Sequence, residues 1–242
     1  MLNNIMNSIS VSGDQRTMDE MLKAINSYDD PFEIIDFNTV IPIPESLMIE
    51  SNCITSRGLQ AYKDFIYVYT LAGTRKDADL ENIPEESEKV FLKARQDVSS
   101  RQWELGKAAY ANLNKYGVPT WYEWAVKNRG TSSNACCSSV SERNGDTVEM
   151  RFQTAWTAPH PILERLSEMY PSLVFDHAWA DKNVRANCGR REYRGGRLSY
   201  EYYPNGDEAA GFANKVWRRE PDADEAEEAA ETEETENHGL KM

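Results

Sequence analysis

Cys188-Gly189-Arg190-Arg191-Glu192-Tyr193-Arg194-Gly195-Gly196-Arg197-Leu198-Ser199-Tyr200-Glu201-Tyr202-Tyr203 is the stretch that decides the fold. Two β-prone runs, Cys188 to Arg194 and Arg197 to Tyr203, flank Gly195-Gly196, and two glycines supply the positive φ values of a two-residue hairpin turn. A hairpin forces its strands to be antiparallel. With the turn there, Arg190 is expected opposite Glu201 as a cross-strand ion pair. Tyr193, Leu198, Tyr200 and Tyr202 are then expected on one face, the buried one.

Working outward, Leu173 to Ala180 reads as a strand, and Ile162, Leu163, Leu166 and Met169 mark a helix closed by Pro171. Val148, Met150 and Phe152 alternate as in a strand. Asn7 to Gly13 alternates too, and Asp14 is placed to cap a helix carrying Met18, Met21, Leu22 and Ile25. Phe32 to Val40 reads as a further strand, ended by Pro42 and Pro44. Between these lie two helical stretches. Leu59 to Ala72 is apolar nearly all round, which predicts a buried helix. Val90, Ala94, Val98, Leu105, Ala109 and Leu113 predict one long helix, weakened at Gly106 by about 1 kcal/mol relative to alanine and closed near Gly117. Asp207 to Trp217 adds a short helix. This order predicts an α+β fold, an antiparallel sheet with helices packed on one face. Residues 1–50 and 119–219 form its body, 51–118 a helical insertion and 220–242 an acidic tail. Ten carboxylates against Lys241 give that tail −9 of the net −13, and with so little apolar surface it is expected to be disordered.

Pro119-Thr120-Trp121-Tyr122-Glu123 has the form of a capping box, with Thr120 at the N-cap and Glu123 at N3. Trp121, Trp124, Ala125 and Asn128 share one helical face, and Gly130 stops the helix. The loop that follows is small and polar. Read as a partner or ligand site, it offers Trp124, Asn128, Arg129, Thr131 and Asn134. Read as a structural corner, the same groups satisfy turn amides.

Asn7 to Gly13, Phe37-Asn38-Thr39-Val40-Ile41-Pro42-Ile43-Pro44-Glu45, Asn114 to Trp124 and Phe152-Gln153-Thr154-Ala155-Trp156 occur in the order found in uncharacterised phage and plasmid proteins with a YubB-type ferredoxin-like domain. The chain resembles that family over roughly residues 5–200. Arg129-Gly130-Thr131-Ser132-Ser133-Asn134-Ala135 departs from it, standing where the family has Trp-Gly-Thr-Lys-Trp-Asn-Ala. The resemblance implies a βαββαβ topology and a role on a mobile element, directed at a host macromolecule such as a protein component of a bacterial defence system.

Other chemistry is thinly represented. Cys53, Cys136, Cys137 and Cys188 lack metal or cluster spacing and read as free thiols of a reducing compartment. His160, His177 and Cys188 have no ligand spacing either. No phosphate loop or nucleophile motif occurs, so neither catalytic residues, a metal nor a cofactor is expected. The absence of a long apolar run or leader-like N-terminus predicts a cytoplasmic protein away from membranes. A second reading is nucleic-acid binding through Arg185, Arg190, Arg191, Arg194 and Arg197 interleaved with tyrosines.

Overall fold

The computed structural model describes residues 3–26, 35–70, 80, 82–140, 144–182 and 187–218. In chain order its elements begin with β1 (Asn4–Ser12), α1 (Gln15–Ile25) and α2 (Phe37–Val40). The helices α3 (Cys53–Tyr69), α4 (Glu85–Ala94), α5 (Ser100–Tyr116) and α6 (Trp121–Arg129) follow. The chain continues through β2 (Cys136–Val140), β3 (Thr147–Ala155), α7 (His160–Met169), β4 (Val174–Asp181), β5 (Cys188–Arg194), β6 (Arg197–Tyr202) and α8 (Gly206–Trp217). They fall into two compact units, one of Met1–Ile41 with Arg129–Met242, the other of Pro42–Asn128.

The first unit carries a six-stranded sheet in the order β2-β3-β1-β4-β5-β6, and its pairings are antiparallel. Its first four strands, with α1 and α7 as the two crossovers, form the split βαβ order of a ferredoxin-like domain. The hairpin β5–β6 extends that sheet beyond β4. Alternation sends Ile9, Val11, Val148, Met150, Phe152, Phe175 and Tyr193 to one face, where Met18, Met21 and Ile25 of α1, Phe37 and Val40 of α2 and Ile162, Leu163 and Leu166 of α7 close a core. The helices are not confined to that face. Ala209, Ala213 and Val216 of α8 pack on Ala180 and Cys188, which alternate with the core residues and so belong to the other side.

Several local expectations are corrected. Phe37 to Val40 is a helical turn, because the Asp36 carboxylate accepts from the Asn38 N–H and caps it; Phe32 to Ile34 lie outside the described residues. The long helix is two helices, since Ser99 and Gln102 form a complete capping box that starts α5 afresh. Tyr67 and Val68 of α3 are exposed, at 63% and 57%, so that helix is not buried all round. In the hairpin, Tyr193 pairs with Leu198 but Glu192 pairs with Tyr200, which leaves Ser199 as an extra residue. Such a bulge reverses which side later residues face. Tyr200 and Tyr202 therefore join Glu192 and Arg190, opposite Tyr193, and the cross-strand ion pair is Arg191–Glu201 at 3.5 Å.

The second unit is helical. Tyr62, Phe65, Ile66 and Trp103 form its core, with Phe91, Leu92, Val98 and Tyr110 packed against them. Gly58 and Gly106 meet backbone to backbone where α3 crosses α5. Glycine is needed there for close approach, which outweighs its poor helix propensity.

Candidate functional site

The end of the sheet at which β1 begins and β3 and β4 finish gathers the polar and aromatic side chains of the α7 face. Alternation along β4 places Phe175, His177 and Trp179 on that face, the first in the core and the next two at its polar end. Cross-strand register sets Asn7 opposite Trp179, Arg191 opposite His177 and Gly189 opposite Trp179. A methyl at Gly189 would lie 2.8 Å from the Trp179 ring, so glycine lets the indole lie across β5. His160, the first residue of α7, packs edge-on against Trp179 at 4.5 Å and His177 at 5.5 Å between ring centroids.

These groups are tied to one another. Asn7 Nδ2 donates to Thr154 Oγ1 at 3.0 Å and to the Ile5 carbonyl at 3.2 Å. Asn7 Oδ1 is thereby turned toward His177 Nε2, 3.0 Å away. His160 Nδ1 lies 3.1 Å from the Tyr193 hydroxyl. The Arg191 guanidinium lies near the Trp179 and Tyr203 rings, 5.8 and 5.9 Å from their centroids, and donates to the Tyr203 hydroxyl at 2.6 Å. Burial, reinforced by Arg191, pushes His160 down to about 4. Fully buried His177 is held well below the usual histidine range by burial, then by His160 and Arg191. Both imidazoles are neutral near pH 7, and burial pushes the Tyr193 phenol up.

At the rim, Trp156 follows the last residue of β3 with φ +67 and is 54% exposed. Its N–H donates to the Asn3 carbonyl at 2.8 Å, and its carbonyl accepts from Asn187 Nδ2 at 3.4 Å. Asn187 Oδ1 in turn accepts from Trp179 Nε1 at 3.3 Å. Tyr203 is 46% exposed. This end of the sheet thus offers an indole, a phenol and a guanidinium over a rigid, neutral base.

The residues singled out from the sequence are spread differently. Trp124 and Asn128 belong to the second unit, where Asn128 Nδ2 donates to the Trp124 carbonyl at 2.8 Å. Arg129, Thr131 and Asn134 belong to the first. Arg129 is 2% exposed and donates to the Ile41 carbonyl from Nε at 2.9 Å and Nη2 at 2.7 Å, and to Asn38 Oδ1 at 2.6 Å. Thr131 Oγ1 donates to the Ala155 carbonyl at 2.9 Å. Asn134 accepts from the Phe37 N–H at 2.8 Å and donates to Asp36 at 3.0 Å. The Thr120 hydroxyl accepts from the Tyr122 N–H at 3.3 Å and bonds the Glu123 carboxylate directly.

The hairpin arginines do not share a surface. Arg191 faces α7; Arg190, Arg194 and Arg197 face the other way, with Arg190 paired to Asp176 and Arg194 to Glu192 at 2.8 Å. Arg185 lies outside the described residues, as do 219–242. Cys188 is on the α8 side, away from His160 and His177, with its Sγ 4.0 Å from the Ala209 carbonyl. Among the described residues no cluster of three His, Cys, Asp or Glu side chains could hold a metal ion, and no helix is long and apolar enough to cross a membrane. Sequence reasoning passed over Trp156 and Trp179. The available signal was the β4 alternation, which carries a histidine and a tryptophan on the same side as core Phe175.

Residues 137–236 match the family model described as the ferredoxin-like domain in Api92-like proteins. Among solved structures, the crystal structure of a protein api92 from Yersinia pseudotuberculosis is similar, at 15% identity and a TM-score of 0.45, over 85% of this chain and 99% of that one. No curated protein matches the sequence.

Proposed function

We propose that this chain is a non-catalytic binding protein that takes a host macromolecule at the Trp156 end of its sheet. The setting, a phage or plasmid protein acting in the bacterial cytoplasm and blocking a defence system, follows from the YubB-type resemblance. One observation supports the binding reading above the others. Trp156 combines a left-handed backbone with a half-exposed indole. A non-glycine residue in that region costs on the order of 1–3 kcal/mol, and such strain is concentrated where it serves a function. A partner that covers the indole recovers its burial, and Trp, Tyr and Arg are the residues most enriched at binding hot spots.

Acid–base chemistry fits the site less well, because its histidines are neutral, largely buried and tied to Asn7 and Tyr193. A protein partner suits it better than nucleic acid. Carboxylates beside Arg190, Arg191 and Arg194 cancel much of the charge that would hold phosphates.

The test is capture from bacterial lysate, with and without nuclease treatment, on immobilised wild-type chain and on Trp156→Gly. A stoichiometric protein held by the wild type and weakened by about tenfold or more in the variant, equivalent to ~1.4 kcal/mol, is the expected result. Equal capture by both refutes the assignment of Trp156. Recovery abolished by nuclease favours the arginine hairpin instead.

A further inference from the structure

Two buried polar atoms of the sheet end have no hydrogen-bond partner among the described residues: His177 Nδ1 and Arg191 Nε. They belong to residues directly opposed across β4 and β5, on the face that packs against α7. Their hydrogen-bonding characters follow from their neighbours. Asn7 Nδ2 is committed to Ile5 and Thr154, so its Oδ1 can only accept, and His177 Nε2 carries the imidazole proton. His177 Nδ1 is therefore a bare lone pair. Arg191 Nε–H is an obligatory donor, while Nη2 of the same guanidinium is occupied by Tyr203.

We propose that His177 Nδ1 and Arg191 Nε hold between them one neutral hydroxyl-type group, which accepts from Arg191 and donates to His177. The chemistry of the pair selects this class. A metal ion or an ammonium would face the Arg191 charge. A carboxylate or phosphate would accept from Arg191 but bring a second acceptor against the His177 lone pair. The two atoms do not bond each other; of groups that could bridge them, only one that accepts and donates at once satisfies both, and leaving both unsatisfied is costlier than immobilising one such group. Protonation of His177 is no alternative, since burial and the neighbouring Arg191 hold the ring neutral. The group has two sources, a water molecule or the alcohol of a small ligand. In either case it fixes the Arg191 guanidinium beneath Tyr203, and this holds whether or not Trp156 contacts a partner.

The experiment is NMR on the intact, isotope-labelled chain near neutral pH. Long-range proton–nitrogen correlations are expected to place the His177 proton on Nε2, with Nδ1 shifted as a hydrogen-bond acceptor. Arg191 Hε is expected to show a cross-peak at the water frequency with a residence time beyond that of surface hydration. Addition of methanol separates the sources. An unchanged water cross-peak assigns the site to water, and its replacement by a methyl cross-peak assigns it to an alcohol. Arg191→Lys, checked for folding by circular dichroism, is expected to lose the cross-peak and return Nδ1 toward its free shift. A scalar coupling from Arg191 Nε to His177 Nδ1, showing a direct bond, overturns the proposal. So does rapid solvent exchange of Arg191 Hε with Nδ1 at its free shift.

Discussion

Acidification is the perturbation to which the sheet end is most exposed. His160 is pushed from 6.5 to about 4, and His177 is held well below 6.5. Each titrates more easily in the unfolded chain, so the unfolded state binds more protons below its own value. The stability contributed by the neutral folded rings is complete above 6.5 and is lost as pH falls from there toward the folded value. Between about pH 7.5 and about pH 5, a group at 6.5 unfolded and near 4 folded gives up ~2 kcal/mol. His177 adds to this loss in the same direction. The His160 share alone is a large part of the 5–15 kcal/mol typical of a domain. The carboxylates with lowered values, Asp14, Glu50, Asp97 and Glu192, lose their contribution only as pH falls below the ordinary carboxylate range, and so fall outside this window. The assay is urea unfolding at the two pH values, followed by near-ultraviolet circular dichroism to report on Trp179. His160→Gln, which can still accept from the Tyr193 hydroxyl, is expected to lose ~2 kcal/mol of the pH dependence. A difference below ~1 kcal/mol in the wild type, or an undiminished one in the variant, would refute the reasoning.

Further outcomes follow from particular contacts. Gly58→Ala or Gly106→Ala would drive a methyl into the facing backbone of the α3–α5 crossing. The ~1 kcal/mol gained in helix propensity does not offset that overlap, and chemical denaturation is expected to register a net loss of ~2–3 kcal/mol, at the upper end for overpacking. Gly130→Ala, with φ +80 and a methyl 3.0 Å from Pro161 Cδ, is expected to lower stability by ~1–2 kcal/mol in the same assay. Trp156→Gly relieves backbone strain while loosening the unfolded chain, so its stability is expected to stay within ~1 kcal/mol of wild type even though partner capture is weakened. Glu88→Ala strands the buried Trp103 indole N–H, 3.1 Å away, and removes the ion-pair partner of half-exposed Lys107, 2.6 Å away, and is expected to cost ~1–3 kcal/mol.

The parts of the fold written in local chemistry were legible. Asp14 accepts from the Thr17 N–H at the start of α1, Gly117 closes α5 at φ +74, and Gly195-Gly196 turn the hairpin with φ +54 and +74. Each is a short-range device readable from two to four residues. What failed depended on competition or on distant partners. At Phe37 to Val40 a β-prone sequence lost to the Asp36 cap, and the α4–α5 break was hidden because apolar spacing ran through the Ser99 box. Strand β2 went unrecognised, since Cys136 to Val140 is half-exposed, irregular and paired through a register shift. The bulge at Ser199 moved two tyrosines to the opposite face, a change that no count of alternating residues registers. At the candidate site, residues from β1, β3, β4 and β5 become neighbours through sheet register and His160 of α7 through packing on that face, so single-segment reading had nothing to join.

Arg129 carries a consequence for how this chain can be rebuilt. It is the first residue of the sheet unit after Asn128, and two of its N–H groups grip the carbonyl of Ile41, the last residue before Pro42. The stem from which the helical segment departs is therefore stapled by a contact that belongs wholly to the sheet unit. Excising Pro42–Asn128 and bridging the gap with a short glycine–serine linker is expected to leave that unit folded. A different module grafted between the same two residues would inherit ends already brought together, without bearing the ~4 kcal/mol of closing so long a loop.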